Sequence, residues 1–243
     1  MLNSMEKQNE INPSMRSVLV DWLIQVHSEL QLCEASLYLS FSIIDRYIES
    51  CQIKKKTFQL VGITSLFISS KLNDCDFKIS VQMCSEYIDF SHTTDEVINM
   101  ENSILTTLQW RVLVPTPYDF LEIFSCMIKS NCRLHRVAKY YLEKSCLDYN
   151  ILLNYKYSDV SLCCLILASY TVDAISSGFP PGSIQAEVDI DSFSFVLPEC
   201  VPMSSNQVKK LCGVIYSSSC SRFISQKGEL LRSIDEKYNM FYI

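Results

Sequence analysis

Residues 15–23, Met-Arg-Ser-Val-Leu-Val-Asp-Trp-Leu, place two charges inside an apolar helical stripe. Met15, Val18, Leu19, Trp22, Leu23 and Val26 recur at three- and four-residue spacing, and Arg16 and Asp21 fall among them. A charge in such company needs a partner, because desolvating it alone is costly. The two readings open to these residues are a buried ion-paired charge and an amphipathic core helix with two solvated charges at its edge. Catalytic chemistry finds little support. His27, His92 and His135 are widely spread, and no serine has a Gly-x-Ser-x-Gly setting. Five scattered glycines cannot build a phosphate-binding loop. Asp189 and Asp191 sit in a long loop and read as a solvated acidic patch. The 12 cysteines form no CxxC pair, and no histidine stands at metal-ligand spacing from them. Cys84, Cys126, Cys163, Cys164 and Cys212 fall inside apolar helical patterns, which reads as reduced core thiols of an intracellular protein. No metal and no cofactor is expected.

A chain of 243 residues suits one large domain or two small ones. An apolar fraction of 48% builds sizeable cores, while 5 glycines and 7 prolines leave little room for the turns of an all-β fold. The net charge of −6 argues against nucleic acid as the main partner. The one basic run, Lys54-Lys55-Lys56, precedes an apolar helix and reads as its solvated start. No stretch resembles a signal peptide. The longest apolar stretch, Val160–Tyr170, is too short to span a bilayer and reads as a buried helix, so no membrane partner is expected.

Helical periodicity predicts helices over about 14–32, 34–51, 54–73, 80–87 and 94–108. The third is apolar nearly all round, with small residues Gly62, Thr64, Ser65, Ser69 and Ser70 that admit close neighbours, as a central helix requires. Thr93 and Glu96 make a capping box for the fifth. Val114-Pro115-Thr116-Pro117 is a break, with Pro117 able to start the next helix. Further helices are predicted over about 117–129, 132–152, 157–176, 204–223 and 227–238, with a Pro/Gly/Ser-rich excursion over about 177–203. Phe58–Ser70 (FQLVGITSLFISS) overlays Tyr157–Ser169 (YSDVSLCCLILAS), apolar on apolar and small on small. The fold expected is all-α: two bundles of about five helices each, around a central apolar helix.

Several motifs together carry a resemblance. Met-Arg-x-x-Leu-Val-Asp-Trp-Leu, Ile-Ile-Asp-Arg at 43–46, Gln-Leu-Val-Gly at 59–62, Ile-Ser-Ser-Lys at 68–71 and Asn-Met-Glu at 99–101 resemble the cyclin box of A- and B-type cyclins in order and spacing. The five positions that define that box are present as Arg16, Asp45, Leu60, Lys71 and Glu101. Residues 233–238, Ser-Ile-Asp-Glu-Lys-Tyr, resemble the end of the second fold of mitotic-type cyclins. The resemblance implies tandem cyclin folds: a short segment at 1–12, a cyclin box at 13–114 and a second fold at 115–243.

By that resemblance the chain is a regulatory subunit, not an enzyme, that binds and activates a cyclin-dependent kinase in cell-cycle control, in nucleus and cytoplasm. Lys71 and Glu101 are implied to neighbour each other and to hydrogen-bond kinase backbone. Ile68, Leu72, Leu105, Trp110 and Val112 are implied to supply the apolar part of that surface. Arg16 and Asp45 are implied to form a buried pair joining the first two helices. Met15, Leu19 and Trp22, with Gln59 at the rim, correspond to an exposed patch that docks Arg-x-Leu segments of substrates and inhibitors. Gln25 stands where such cyclins often carry an acid, so the contact to the motif's Arg is expected to be weaker. About a dozen residues precede the box, so either the chain is trimmed or the kinase contact usually made by a preceding helix is reduced. The competing class is a cyclin-fold adaptor, transcription-associated or peptide-binding, without kinase activation. The acidic balance weighs against the first kind, and Lys71 with Glu101 against the second.

Overall fold

The computed structural model describes residues 4–76, 78–176, 203–220 and 233–238. The predicted excursion over 177–203 and the predicted helical residues 221–223 and 227–232 therefore lie almost entirely outside the described residues. Every regular element among the described residues is helical. The chain divides into two compact units, Met1–Thr116 with Ile224–Ser233, and Pro117–Phe223 with Ile234–Ile243.

The first unit contains α1 (Pro13–Leu30), α2 (Glu34–Ser50), α3 (Phe58–Asn73), α4 (Val81–Tyr87) and α5 (Thr94–Thr107). Its centre is α3, buried at every position from Leu60 to Ser70. α1, α2, α4 and α5 pack around it. The small residues of α3 set how close they come: a Cβ built on Gly62 would lie 2.7 Å from Leu19 Cδ1. α1 starts at Pro13 behind Asn12, whose side chain accepts from the Met15 N–H. It ends at Gln31 in the left-handed region, a carbonyl-satisfying closure. The capping box of α5 is formed: Thr93 N–H donates to Glu96 Oε2 at 2.8 Å, and Glu96 N–H to Thr93 Oγ1 at 3.3 Å. The Thr93 N–H bond to the carboxylate, helped by the His92 side chain, lowers the Glu96 pKa. Asp74, just past α3, caps α2 by accepting from Cys33 N–H at 2.8 Å and Ser36 Oγ at 2.6 Å.

Residues 4–12, which show no periodicity in sequence, are fastened to the unit. Ser4–Lys7 form a 3-10 turn, and Met5 and Ile11 are buried. Gln8 Nε2 donates to the carbonyls of Ile48 and Cys51 at 2.8 and 2.7 Å, and its Oε1 accepts from Ile53 N–H at 2.9 Å. One amide side chain thus satisfies the frayed end of α2, a contact that no local pattern signals.

The second unit contains α6 (Pro117–Met127), α7 (Cys132–Leu147), α8 (Tyr149–Asn154), α9 (Tyr157–Ser176), α10 (Ser205–Cys220) and, from Ile234 on, α11 (Ser233–Tyr238), whose first residue is grouped with the first unit. The predicted helix over 132–152 is two helices. Asp148 leaves the helical region at φ −86°, ψ 98° and caps α8 by accepting from Asn150 N–H. Side-chain capping outcompetes helix continuation there. α9 takes the central place, buried at every position from Val160 to Ala168, against α6, α7, α8 and α10. At 20 residues α9 is long and apolar enough to cross a membrane by length and composition, and the buried helix expected at Val160–Tyr170 is its central part. Its burial inside the unit is that of a core helix. α11 is short and fastened by charge. Glu143 of α7, fully buried, accepts from Lys237 Nζ at 2.6 Å and Tyr238 Oη at 2.7 Å. Lys144 Nζ pairs with Asp235 Oδ1 at 2.8 Å. Two buried charges on α7 therefore meet opposite charges on α11, as burial demands.

Candidate partner-binding groove

α3 and α5 end side by side in the first unit, and a groove of about 550 Å³ opens along them. The end of α3 contributes Ile68, Lys71 and Leu72, α5 contributes Glu101 and Leu105, and the segment after α5 contributes Trp110 to Val114. All seven residues that the resemblance implies for the kinase surface line this one groove. Arg111, Leu113 and Val114 line it too and were missed, since non-helical residues have no periodicity to mark their facing side.

Lys71 Nζ and Glu101 Oε1 form a direct ion pair at the groove. Their side chains are 32% and 15% exposed, so the pair is neither free in solvent nor sealed. Lys71 Nζ also lies 4.1 Å from the centroid of the Phe67 ring. Behind them Cys84 is buried, and burial pushes its thiol up to about 12, with Glu101 adding to the rise and Lys71 opposing it. An ion pair of this exposure contributes little to folding. An ammonium with three donors and a carboxylate with two oxygens keep capacity beyond their mutual contact, which suits them to orient a partner's backbone groups.

The apolar part is graded. Ile68 and Val112 are buried and form the floor, Leu105 is half-buried, and Leu72, Trp110 and Leu113 are exposed. Trp110 is 70% exposed and Leu113 67%, far more apolar surface than an isolated helix end needs to show. Trp110 owes its position to the backbone. Gln109 and Trp110 both lie in the left-handed region, at φ 52° and 59°, which costs a side-chain-bearing residue about 1–2 kcal/mol. The turn is held by Trp110 N–H to Leu105 O at 2.8 Å and Gln109 N–H to Thr106 O at 3.0 Å, the paired bonds of a Schellman closure. Phe90 repeats the geometry after α4, with φ 53° and 66% exposure.

The α1 face holds the other residues. Arg16 is fully buried, and its Nε and Nη2 donate to Asp45 Oδ1 and Oδ2 at 2.6 and 2.7 Å, a two-pronged pair joining α1 to α2. Asp21, for which the sequence offers no partner, accepts from Ser233 Oγ at 2.8 Å, a residue grouped with the same unit. Met15 and Trp22 are half-buried, and Gln25 and Gln59 are exposed. Leu19 departs from the expectation of an open patch. It is 5% exposed because it seats in the notch left by Gly62, so it forms the floor between Met15 and Trp22.

In the second unit Ser125 Oγ lies 3.2 Å from His135 Nδ1, and His135 Nε2 lies 3.0 Å from Glu122 Oε1. The order resembles a nucleophile–base–acid line. Ser125 is buried and the three residues lie on neighbouring α6 and α7, so the line serves as a helix-to-helix tie. Among the described residues no group of three or more His, Cys, Asp or Glu side chains is arranged to hold a metal ion, and all described cysteines are free thiols.

The N-terminal cyclin domain matches residues 1–113, and the C-terminal cyclin domain matches residues 115–240. The chain belongs to the cyclin family. Cyclin-B2-2 of Oryza sativa subsp. indica is 33% identical to this cyclin-family chain over 204 residues, 83% of it and 46% of the relative. Cyclin-B2-3 of Arabidopsis thaliana is 33% identical over 188 residues, 76% and 42% of the two chains. The chain thus spans somewhat under half the length of the curated relatives it matches. Among solved structures, the viral cyclin of herpesvirus saimiri superimposes with a TM-score of 0.71 at 22% identity, over 88% of each chain. A chain of the yeast RNA Pol II CTD kinase CTDK-1 complex superimposes with a TM-score of 0.61 at 12% identity, over 93% of this chain and 75% of that one. These structural likenesses bear on the fold: two cyclin folds in tandem, each around one buried helix.

Proposed function

We propose that the chain is the non-catalytic subunit of a cyclin-dependent Ser/Thr kinase, which it binds and activates through the α3–α5 groove in cell-cycle control. The observation that carries this reading is the Lys71–Glu101 pair beside exposed Leu72, Trp110 and Leu113. Apolar anchors rimmed by an orienting charge pair are the anatomy of a recognition surface. A rigid surface of this kind activates by differential affinity. It binds the kinase conformation in which the active-site Lys and Glu meet, and shifts the population toward it. Moving that population from 1:99 to 99:1 requires roughly 10⁴-fold preference for the active form, a demand that favours a preformed groove.

The second part of the proposal concerns α1. Met15 and Trp22 over the Leu19 floor, rimmed by Gln59, dock the apolar residue of Arg-x-Leu segments in substrates or inhibitors. Gln25 accepts a hydrogen bond without charge, so the motif's Arg is read weakly. The half-buried state of two large apolar side chains on a surface helix supports a shallow docking patch.

The test is co-purification with cyclin-dependent kinases followed by a histone-kinase assay, for the wild type and for Lys71→Ala with Glu101→Ala. The wild type is expected to bind and activate, and the double variant to lose activation with unchanged circular dichroism. Absence of any complex at micromolar protein overturns the reading. Binding without activation points instead to an adaptor.

A further inference from the structure

One wall of the groove is not helical. After α5 the chain turns through Gln109 and Trp110 in the left-handed region and runs on through Arg111–Val114 without an i to i−4 hydrogen-bond ladder. The exposed anchors Trp110 and Leu113 both stand on this wall. Beyond the Schellman turn and the buried Val112 side chain, such a segment shifts more readily than a helix unless its carbonyls are fixed from outside it.

Arg46 of α2 supplies that fixation. Its Nη2 donates to Arg111 O at 2.6 Å, and its Nη1 to Val112 O at 3.4 Å. The planar guanidinium thus spans two consecutive carbonyls of the wall, which a lysine ammonium, acting as a point charge, does not match. The mount is itself fixed. Asp45, one residue before, is held by Arg16, and Tyr47, one residue after, shares a 2.8 Å hydrogen bond with Ser103 Oγ of α5. Arg46 therefore stands between two ties that lock α2 to α1 and to α5.

We propose that Arg46 is a positioning residue for partner binding: it pins the wall after α5 so that Trp110 and Leu113 are presented in one arrangement. This rests on the reading of the groove as the kinase surface. The physical gain is preorganisation, because a wall ordered before binding need not be ordered during it. Arg46 touches no partner in this account and acts through the Arg111 and Val112 carbonyls.

The experiment uses the full chain with 5-fluorotryptophan at its two tryptophans, Trp22 and Trp110. Trp110 reports on the wall and Trp22 serves as the internal control, assigned with Trp110→Phe. Arg46→Gln and Arg46→Lys are compared with the wild type by ¹⁹F spectra, urea midpoint and affinity for a cyclin-dependent kinase. In Arg46→Gln the Trp110 resonance is expected to narrow and move toward that of free fluorotryptophan while the Trp22 resonance stays. Kinase affinity should fall by about tenfold, with Arg46→Lys shifted in the same direction. An unmoved Trp110 resonance overturns the proposal, as does equal movement of both resonances or an unchanged affinity alongside a loosened Trp110. If the wild type binds no such kinase, the groove's function is refuted instead, and the ¹⁹F spectra still decide whether Arg46 holds the wall.

Discussion

Replacing Arg16 by Ala tests the deepest electrostatic element of the first unit. Arg16 is 0% exposed, and Asp45, which accepts both of its guanidinium bonds, is 18% exposed. Truncation removes the cation and leaves the carboxylate in a mostly closed site. Breaking a buried pair by removing one partner costs about 3–5 kcal/mol. The partial exposure of Asp45 lets water reach one side, which puts the expectation near the lower end, about 3 kcal/mol. Against a total stability of about 5–15 kcal/mol, that is a large share. Urea denaturation followed by far-ultraviolet circular dichroism measures the change, with equal m-values confirming the same transition. A double-mutant cycle with Asp45→Leu isolates the pair from the other contacts of Arg16. Arg16→Met with Asp45→Leu should recover most of the loss, since an apolar pair leaves no stranded charge. A single-variant loss below about 1 kcal/mol, the scale of an exposed pair, would refute the reasoning, as would a double variant no better than Arg16→Ala.

Gly62→Val should cost about 1–3 kcal/mol by over-packing and push Leu19 outward, since even a Cβ there falls 2.7 Å from Leu19 Cδ1; a stability equal to wild type would show that α1 and α3 separate freely. Alkaline pH should destabilise the chain: burial raises Cys84 from 9.0 to about 12 and Tyr141 from 10.0 to about 12, so above pH 9 the unfolded chain releases protons that the native state keeps. This stability is complete below pH 9 and falls by up to about 1.4 kcal/mol per pH unit per buried thiol until pH reaches the folded value; a urea midpoint that stays constant from pH 8 to 10 would contradict it. The same burial predicts that maleimide labels the exposed Cys75, Cys126, Cys132 and Cys220 in the native chain, and the buried Cys84, Cys146, Cys163, Cys164 and Cys212 only after unfolding.

By itself the sequence determined the helices and their rank. The period of apolar residues located most of the long described helices to within a few residues, because burying one face demands that spacing. The near-continuous apolar run with small residues marked α3 and α9 as the central helices, since only an enclosed helix tolerates apolar groups all round. Capping also read locally, at Asn12 only in structure but at Thr93 and Glu96 from the residues alone. The seven groove residues were legible through motif resemblance rather than through any local physics. Periodicity says that Ile68, Leu72 and Leu105 lie on apolar faces, not which of them stay open.

Tertiary structure decided what depends on neighbours distant in the chain. Leu19 seated on Gly62 and became a floor in place of an exposed contact. Asp148 broke a helix that the pattern ran through. Gln8 fastened an unpatterned segment to α2, and Ser233 donated to one oxygen of Asp21 from 212 residues away. Arg46 donates to carbonyls 65 and 66 positions downstream, on the segment that carries Trp110. The reason is common to all of these. Periodicity records which side of an element is buried, whereas exposure, pairing and the path of a non-helical segment are set by single side chains meeting across the fold, and such meetings leave no period in the sequence.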